Sequence, residues 1–131
     1  MSHIRTAGTA AGLTAVLCAS TMLAISPAQA SGGSGVRAGG TCSGGGVWKL
    51  KAKHDNGRIA VEFEVDTNRA GQRWHVRITD NSHLVKDRFA TTVAPSGSFT
   101  VRTVSGNRVG TDTIRASATR GTRTCSGLVR L

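Results

Sequence analysis

The 131-residue sequence contains no tyrosine, only two tryptophans and only three phenylalanines. Proteins that hold single-stranded nucleic acids stack the bases on aromatic side chains, so this scarcity argues against specific nucleic-acid binding. Acidic side chains are also few: 7 Asp and Glu stand against 17 Lys and Arg, and the formal net charge is +10 at pH 7. The chain is too short for separate cofactor and substrate domains, which excludes large two-domain enzymes.

Several chemical motifs are missing as well. No G-x-x-x-x-G-K-[ST] sequence occurs, so the glycines do not form a phosphate-binding P-loop. The three cysteines have no C-x-x-C spacing, which argues against a zinc site. No Arg-Arg pair is present, which argues against twin-arginine export and against a cofactor inserted before export. We therefore expect no cofactor and no metal.

The first 30 residues have the pattern of a secretory signal peptide. His3 and Arg5 give a weakly positive start, residues 10–25 are apolar or small, and a small-x-small site ends at Ala30. A retained membrane anchor is disfavoured because polar residues interrupt the stretch and no basic flank follows it. Cys18 is preceded by a leucine, which is too large for a lipoprotein signal. We expect cleavage after Ala30 and a secreted protein, either free outside the cell or associated with the envelope, with no membrane span after cleavage.

Cleavage there removes one arginine and leaves a chain with a formal charge of +9. Cys42 and Cys125 remain, and because thiols oxidise outside the cell, the sequence predicts one disulfide that closes nearly the whole domain. Between the signal peptide and residue 47, eight of 16 residues are glycine. Such a segment buries too little apolar surface to offset its ordering entropy. Residues 31–46 are therefore predicted to be a flexible leader.

From residue 47 onward, apolar residues recur at every second position, which is the period of a β-strand. Residues 47–53 alternate apolar side chains with lysines, and residues 59–66 alternate apolar side chains mainly with acids. The intervening Asn56-Gly57 pair is typical of a two-residue type I′ hairpin turn, which makes paired residue numbers sum to 113. This register matches both apolar and charged pairs: Trp48 with Val65, Leu50 with Phe63, Lys49 with Glu64, and Lys51 with Glu62.

Five further alternating runs, separated by turn residues, lie at 73–79, 88–93, 98–104, 113–119 and 123–130. In the run at 88–93 we assign Phe89, Thr91 and Val93 to the interior. Seven strands in about 85 residues are typical of an immunoglobulin-like or fibronectin type III-like sandwich. The sequence therefore predicts an all-β, seven-stranded antiparallel β-sandwich over residues 47–131, closed by one disulfide.

Four stretches, at residues 48–53, 55–59, 61–66 and 94–99, read WKLKAK, DNGRI, VEFEVD and APSGSF. They resemble small exported proteins of high-GC Gram-positive bacteria, a group of unknown function. The resemblance covers most of the chain after the signal peptide. It implies export and a β-sandwich, and it transfers no catalytic residue.

Candidate catalytic groups have better structural interpretations. Glu62 and Glu64 lie on one strand face at roughly 6.5 to 7 Å, not far from the separation of glycosidase carboxylate pairs. Their predicted lysine partners and solvent exposure favour a structural role. His54, His75 and His83 share no short ligand spacing, so we interpret them as solvated side chains and not as metal ligands or part of a Ser/His/Asp arrangement. We therefore predict no catalytic residue and no enzyme activity.

The two tryptophans offer a possible stacking platform for a sugar or a base. Trp48 and Trp74 both fall on the inward parity of their strands, so we assign them to the core. The remaining attraction to nucleic acid would be non-specific and sensitive to salt.

The outward positions of the third, sixth and seventh predicted strands carry arginines with few acids between them: Arg73, Arg77, Arg115 and Arg123. In an immunoglobulin-like topology these strands share one sheet, and the arginines would form a cationic face. We predict that this face binds an anionic wall polymer, an acidic glycan or an acidic protein surface. A surface that merely keeps the protein soluble is the alternative interpretation.

The sequence thus favours a monomeric, secreted, non-enzymatic binding module. The rival function is a small secreted enzyme inhibitor that presents the long polar loop at residues 105–111 to its target. A panel of extracellular proteases would separate the two functions.

Overall fold

The computed structural model describes residues 35–131, which form two four-stranded antiparallel sheets and no helix. The strands are β1 Val36–Thr41, β2 Val47–Asp55, β3 Arg58–Asp66, β4 Arg73–Asp80, β5 His83–Thr91, β6 Ser98–Gly106, β7 Thr113–Arg120 and β8 Arg123–Arg130. The first sheet has the order β1-β2-β3-β6, and the second has the order β5-β4-β7-β8. The predicted all-β sandwich is confirmed. The predicted signal peptide and Cys18 lie outside the described residues.

The β2–β3 hairpin has the predicted register. Every pair of opposed residues in these strands has numbers that sum to 113. Asn56 and Gly57 have φ angles of 49° and 74°, and a type I′ turn requires positive φ at both positions. Leu50 lies opposite Phe63, and both are fully buried. The turn therefore sets the register that places the apolar side of this hairpin in the core.

The glycine-rich segment contains a strand that the sequence analysis missed. β1 pairs with β2 and extends the first sheet, so residues 31–46 are not wholly a flexible leader and the sandwich has eight strands instead of seven. Val36 and Ala38 pack against the core. At Gly40 a Cβ atom would come within 3.0 Å of the Trp48 indole. Glycine allows close packing here, and the sandwich begins before residue 47.

The strands after β1 have the order of an immunoglobulin-like sandwich. β2, β3 and β6 share the first sheet, whereas β4, β7 and β8 share the second sheet with β5 at its edge. This is the arrangement in which the third, sixth and seventh strands of the sandwich are neighbours. Outward side chains of β4, β7 and β8 therefore lie on one surface, as predicted.

The predicted disulfide between Cys42 and Cys125 is present. Cys42 lies between β1 and β2, and Cys125 lies in β8, so the bond joins the two sheets. The two residues are 83 positions apart in the sequence. The closed loop therefore contains most of the sandwich.

The predicted interior of β5 is wrong. Phe89, Thr91 and Val93 are exposed, whereas Ala90 and Thr92 are buried. The prediction placed the larger apolar residues inside, as strand alternation normally requires. The interior positions are instead occupied by Ala90 and by Thr92, which carries a hydroxyl group.

Hydrogen bonding explains why a threonine can occupy this buried position. Thr92 Oγ1 donates to the Arg69 carbonyl at 2.6 Å and accepts from the Gln72 amide at 2.9 Å. A buried hydroxyl is tolerated when its hydrogen bonds are satisfied. The buried position of Thr92 therefore determines which residues of this segment point inward, and Phe89 points toward solvent.

Candidate functional site

The solvent side of the second sheet brings together most of the predicted arginines. We call this surface the outer face; it consists of the outward side chains of β5, β4, β7 and β8. Along β4 these side chains alternate with the buried Trp74, Val76 and Ile78. The exposed arginines of the outer face are Arg73 and Arg77 on β4, Arg115 on β7 and Arg130 on β8.

Phe89 holds Arg73 at a defined place on the outer face. The guanidinium carbon of Arg73 lies 4.0 Å from the centroid of the Phe89 ring. The His75 ring packs on the same phenylalanine, with the ring centroids 5.0 Å apart. A cation over an aromatic ring is attracted by the ring quadrupole. The exposed phenylalanine therefore orients a cation instead of filling the core.

Asp87 is the only carboxylate on the outer face within residues 35–131. Its Oδ1 lies 2.5 Å from His75 Nε2, and its Oδ2 lies 3.3 Å from Arg77 Nε. His75 is half-buried and the other two side chains are exposed, and ion pairs near the surface add little to stability. The carboxylate offsets part of the charge of Arg77 but leaves the outer face cationic.

A shallow depression of about 480 Å³ opens on the outer face across β4, β7 and β8. Arg77 and Arg115 line it, and Ser117 lies opposite Arg77 with Ser126 beyond it on β8. Thr79 and Leu128 complete its outward lining. The depression thus combines two guanidinium groups, which recognise anions, with hydroxyl groups that can donate or accept hydrogen bonds.

Arg130 was missed by the sequence analysis, which named only Arg123 among the arginines of the last strand. In the structure Arg130 lies opposite Thr113, on the outward side of β8. Cys125 is the sequence feature that predicts the outward orientation of Arg130. A disulfide to the other sheet fixes Cys125 inward, so even-numbered residues of β8 must point outward.

The prediction that Arg123 lies on the outer face is wrong, because Arg123 has the same inward orientation as Cys125. Its guanidinium carbon lies 5.3 Å from the centroid of the Trp74 ring. Its Nη2 donates to the Gly45 carbonyl at 2.9 Å. Arg123 shares the inward parity of Cys125, so it covers the edge of the core beneath the loop that joins β1 to β2.

Arg123→Gln is expected to lower the free energy of unfolding by about 1 to 2 kcal/mol, because it removes the cation–π contact with Trp74 and the hydrogen bond to Gly45. Urea denaturation measures this change. The matched control is Arg120→Gln, since Arg120 lies opposite Arg123 and is exposed. Equal stability of the two variants would contradict this role for Arg123.

The other candidate groups do not come together. Glu64 lies 3.7 Å from Lys49, as predicted, and Glu62 lies 3.5 Å from Lys51 and 3.0 Å from Arg102. His54 lies in β2 of the first sheet, whereas His75 and His83 lie in the second. Within the described part of the chain, no group of three or more His, Cys, Asp or Glu residues is placed to hold a metal ion.

The loop predicted to act as an inhibitor is shorter than residues 105–111. Ser105 and Gly106 belong to β6, and the Ser105 hydroxyl donates to buried Asp80 at 2.6 Å. The Arg108 amide donates to Asp112, which is also buried. Val109 is fully exposed at the tip. The exposed part of the loop that lies outside the strands is therefore residues 107–111.

In comparisons with known proteins, no protein-family model, curated protein or solved structure matches the chain. Within residues 35–131, no helix is long and apolar enough to cross a membrane.

Proposed function

We propose that this protein is a secreted, non-enzymatic binding module whose outer face binds an anionic partner in the cell envelope or outside the cell. The observation that carries this proposal is the imbalance of charge on the outer face. In the described range 35–131, four exposed arginines, namely Arg73, Arg77, Arg115 and Arg130, share it with the single carboxylate of Asp87. Guanidinium groups match the geometry of carboxylate and phosphate oxygens.

Acidic side chains distinguish the two sheets. On the solvent side of the first sheet Lys49, Lys51 and Arg102 pair with acids of β3. Within residues 35–131, Arg73, Arg115 and Arg130 form no ion pair. Exposed cations without an ion pair also occur on the first sheet, so the outer face is distinguished by its scarcity of acids and not by its cations alone. This scarcity favours recognition over the solubility interpretation.

The chemistry of the outer face supports binding more than catalysis. Guanidinium groups stay protonated at physiological pH and do not serve as proton donors or acceptors in reactions. His75 and Asp87 could transfer protons and are hydrogen-bonded to each other, but within residues 35–131 no nucleophilic side chain is hydrogen-bonded to either of them. The depression between Arg77 and Arg115 is open, and guanidinium and hydroxyl groups form part of its lining. We therefore assign the outer face to charge recognition.

Export is part of the proposal. The N-terminal sequence has the order of a secretory signal, and disulfides persist in oxidising compartments. The Cys42–Cys125 bond is consistent with such a compartment. Cell-envelope polymers that carry phosphate or carboxylate groups are accessible from there.

The double reversal Arg73→Glu/Arg77→Glu is expected to weaken retention on purified anionic wall material at least tenfold at low salt. The unaltered domain should be retained at low salt. As the salt concentration rises it should be released before about 0.3 M, because exposed charges are then strongly screened. Sedimentation with the wall material measures the bound fraction, and circular dichroism checks that the variant is folded.

Equal retention of the unaltered domain and the double variant would contradict the proposal that the outer face binds the anionic partner. If the domain instead inhibits an extracellular protease and binds no wall material, the inhibitor function gains support and the binding proposal fails.

A further inference from the structure

The strand register places three of the arginines on a straight diagonal across the second sheet. Arg77 lies opposite Ser117, and Arg115 is two residues from Ser117 on the same strand. Arg115 lies opposite Leu128, and Arg130 is two residues beyond it. Each step from Arg77 to Arg115 to Arg130 thus crosses one strand and moves two residues along it. With usual strand spacings, each step is ~8 Å between Cα atoms.

Arg73 extends this line through Phe89. Continued from Arg77 onto β5, the same diagonal step reaches Phe89, because Asp87 lies opposite Arg77 and Phe89 is two residues away. Phe89 carries no charge, but the Arg73 guanidinium carbon lies 4.0 Å from its ring centroid. The cation of Arg73 therefore stands at the fourth position of the diagonal. Asp87 lies beside the line and not on it.

We infer that the anionic partner is a linear polyanion, an extended chain with regularly repeated phosphate or carboxylate groups, which lies along the arginine diagonal. This inference rests on the proposed function and names its ligand class. The diagonal is the line of Arg73, Arg77, Arg115 and Arg130, which spans roughly 25 Å in three steps. Evenly spaced cations on one line complement evenly spaced anions on an extended chain.

The surroundings of the diagonal fit such a chain. Ser117 and Thr79 flank the step from Arg77 to Arg115 on opposite sides, and the depression opens at this step. One anionic group of the chain would lie there, between two guanidinium groups and within reach of hydroxyls. The spacing of ~8 Å is close to the Debye length at physiological ionic strength, so each arginine acts largely as a separate contact. Affinity should therefore increase with each anion added until the chain spans the line.

The test uses two series of probes of increasing length: inorganic polyphosphate for the phosphate chemistry and oligogalacturonate for the carboxylate chemistry. Their affinities for the domain are measured by calorimetry at several salt concentrations. Chains that span the line should bind at least tenfold more tightly than dimers of the same unit. The series with the higher affinity identifies the anionic group.

Two single variants test the diagonal directly. Arg115→Gln and Arg130→Gln should each weaken binding of the long chains about threefold or more and lower the slope of log K against log salt by about one. Arg37→Gln is the matched control, since Arg37 is exposed and faces outward from β1 in the first sheet. It should change the slope much less.

The outcomes separate this inference from the proposed function. If binding depends on Arg73 and Arg77 but not on chain length, or if Arg115→Gln and Arg130→Gln behave like Arg37→Gln, the diagonal is wrong and the anionic partner is compact. If neither probe series nor wall material binds, both proposals fail.

Discussion

Gly127→Ala is expected to lower the free energy of unfolding by about 3 kcal/mol, the upper end of the usual cost of overpacking. A Cβ atom at Gly127 would lie 2.1 Å from Cη2 and 2.2 Å from Cζ3 of Trp48. The indole also packs close to Gly40 on β1 and lies 6.5 Å from the Phe63 ring. The methyl group would overlap the indole and must therefore displace it. Thermal denaturation measures the loss, and tryptophan emission should shift to longer wavelength.

Two further variants isolate this cause. Gly106→Ala is the control, because it also adds a methyl group within a strand, and a Cβ atom there meets no atom within 4 Å. It should change stability by less than about 0.5 kcal/mol. In a Trp48→Leu background, Gly127→Ala should cost much less than in the unaltered domain. A full cost in that background would show that the indole is not the cause.

Removal of the disulfide, by Cys42→Ala/Cys125→Ala, is expected to lower the free energy of unfolding by about 4 to 5 kcal/mol in the chain-entropy estimate. The bond spans 83 positions, so its loss frees most of the unfolded domain from a long loop constraint. A domain of this size has a total stability of about 5 to 15 kcal/mol. The variant should thus be only marginally folded at 37 °C, as denaturant titration can measure.

The reduced form of the unaltered domain gives the matched comparison. Dithiothreitol should destabilise the unaltered domain about as much as the double substitution does, and it should have no effect on the substituted variant. If reduction leaves the denaturation midpoint unchanged, the disulfide does not stabilise the fold.

The parts of the fold that local sequence determines could be predicted. Asn56-Gly57 fixes a turn type, the turn fixes the register, and strand alternation then assigns Leu50 and Phe63 to the core. β1 could not be predicted in this way. Its glycines lower its apolar content, and their role depends on Trp48, which comes later in the sequence. Glycine selected for close packing and glycine selected for flexibility look the same in a sequence.

The candidate site was predicted in part for similar reasons. Alternation along β4 and β7 correctly placed Arg73, Arg77 and Arg115 on one sheet. Arg123 was misplaced and Arg130 was overlooked because the inward orientation of Cys125, which the predicted disulfide implies, was not used to assign the two faces of β8.

Strand alternation assigned Phe89 to the core. The assignment failed because Thr92 is buried instead, and its hydroxyl group forms hydrogen bonds with backbone groups of another segment. Such long-range hydrogen bonds leave no periodic signal in the sequence.

A charge-matched comparison decides whether the outer face is the surface that binds the anionic partner. Arg73→Glu/Arg77→Glu on the outer face is compared with Arg37→Glu/Lys53→Glu, whose side chains are exposed on the solvent side of the first sheet. Both variants have the same net charge, so attraction that depended on net charge alone would weaken equally. We expect the first variant to lose at least tenfold in affinity for anionic wall material at low salt, and the second to lose less than threefold. Equal losses in the two variants would contradict this role of the outer face.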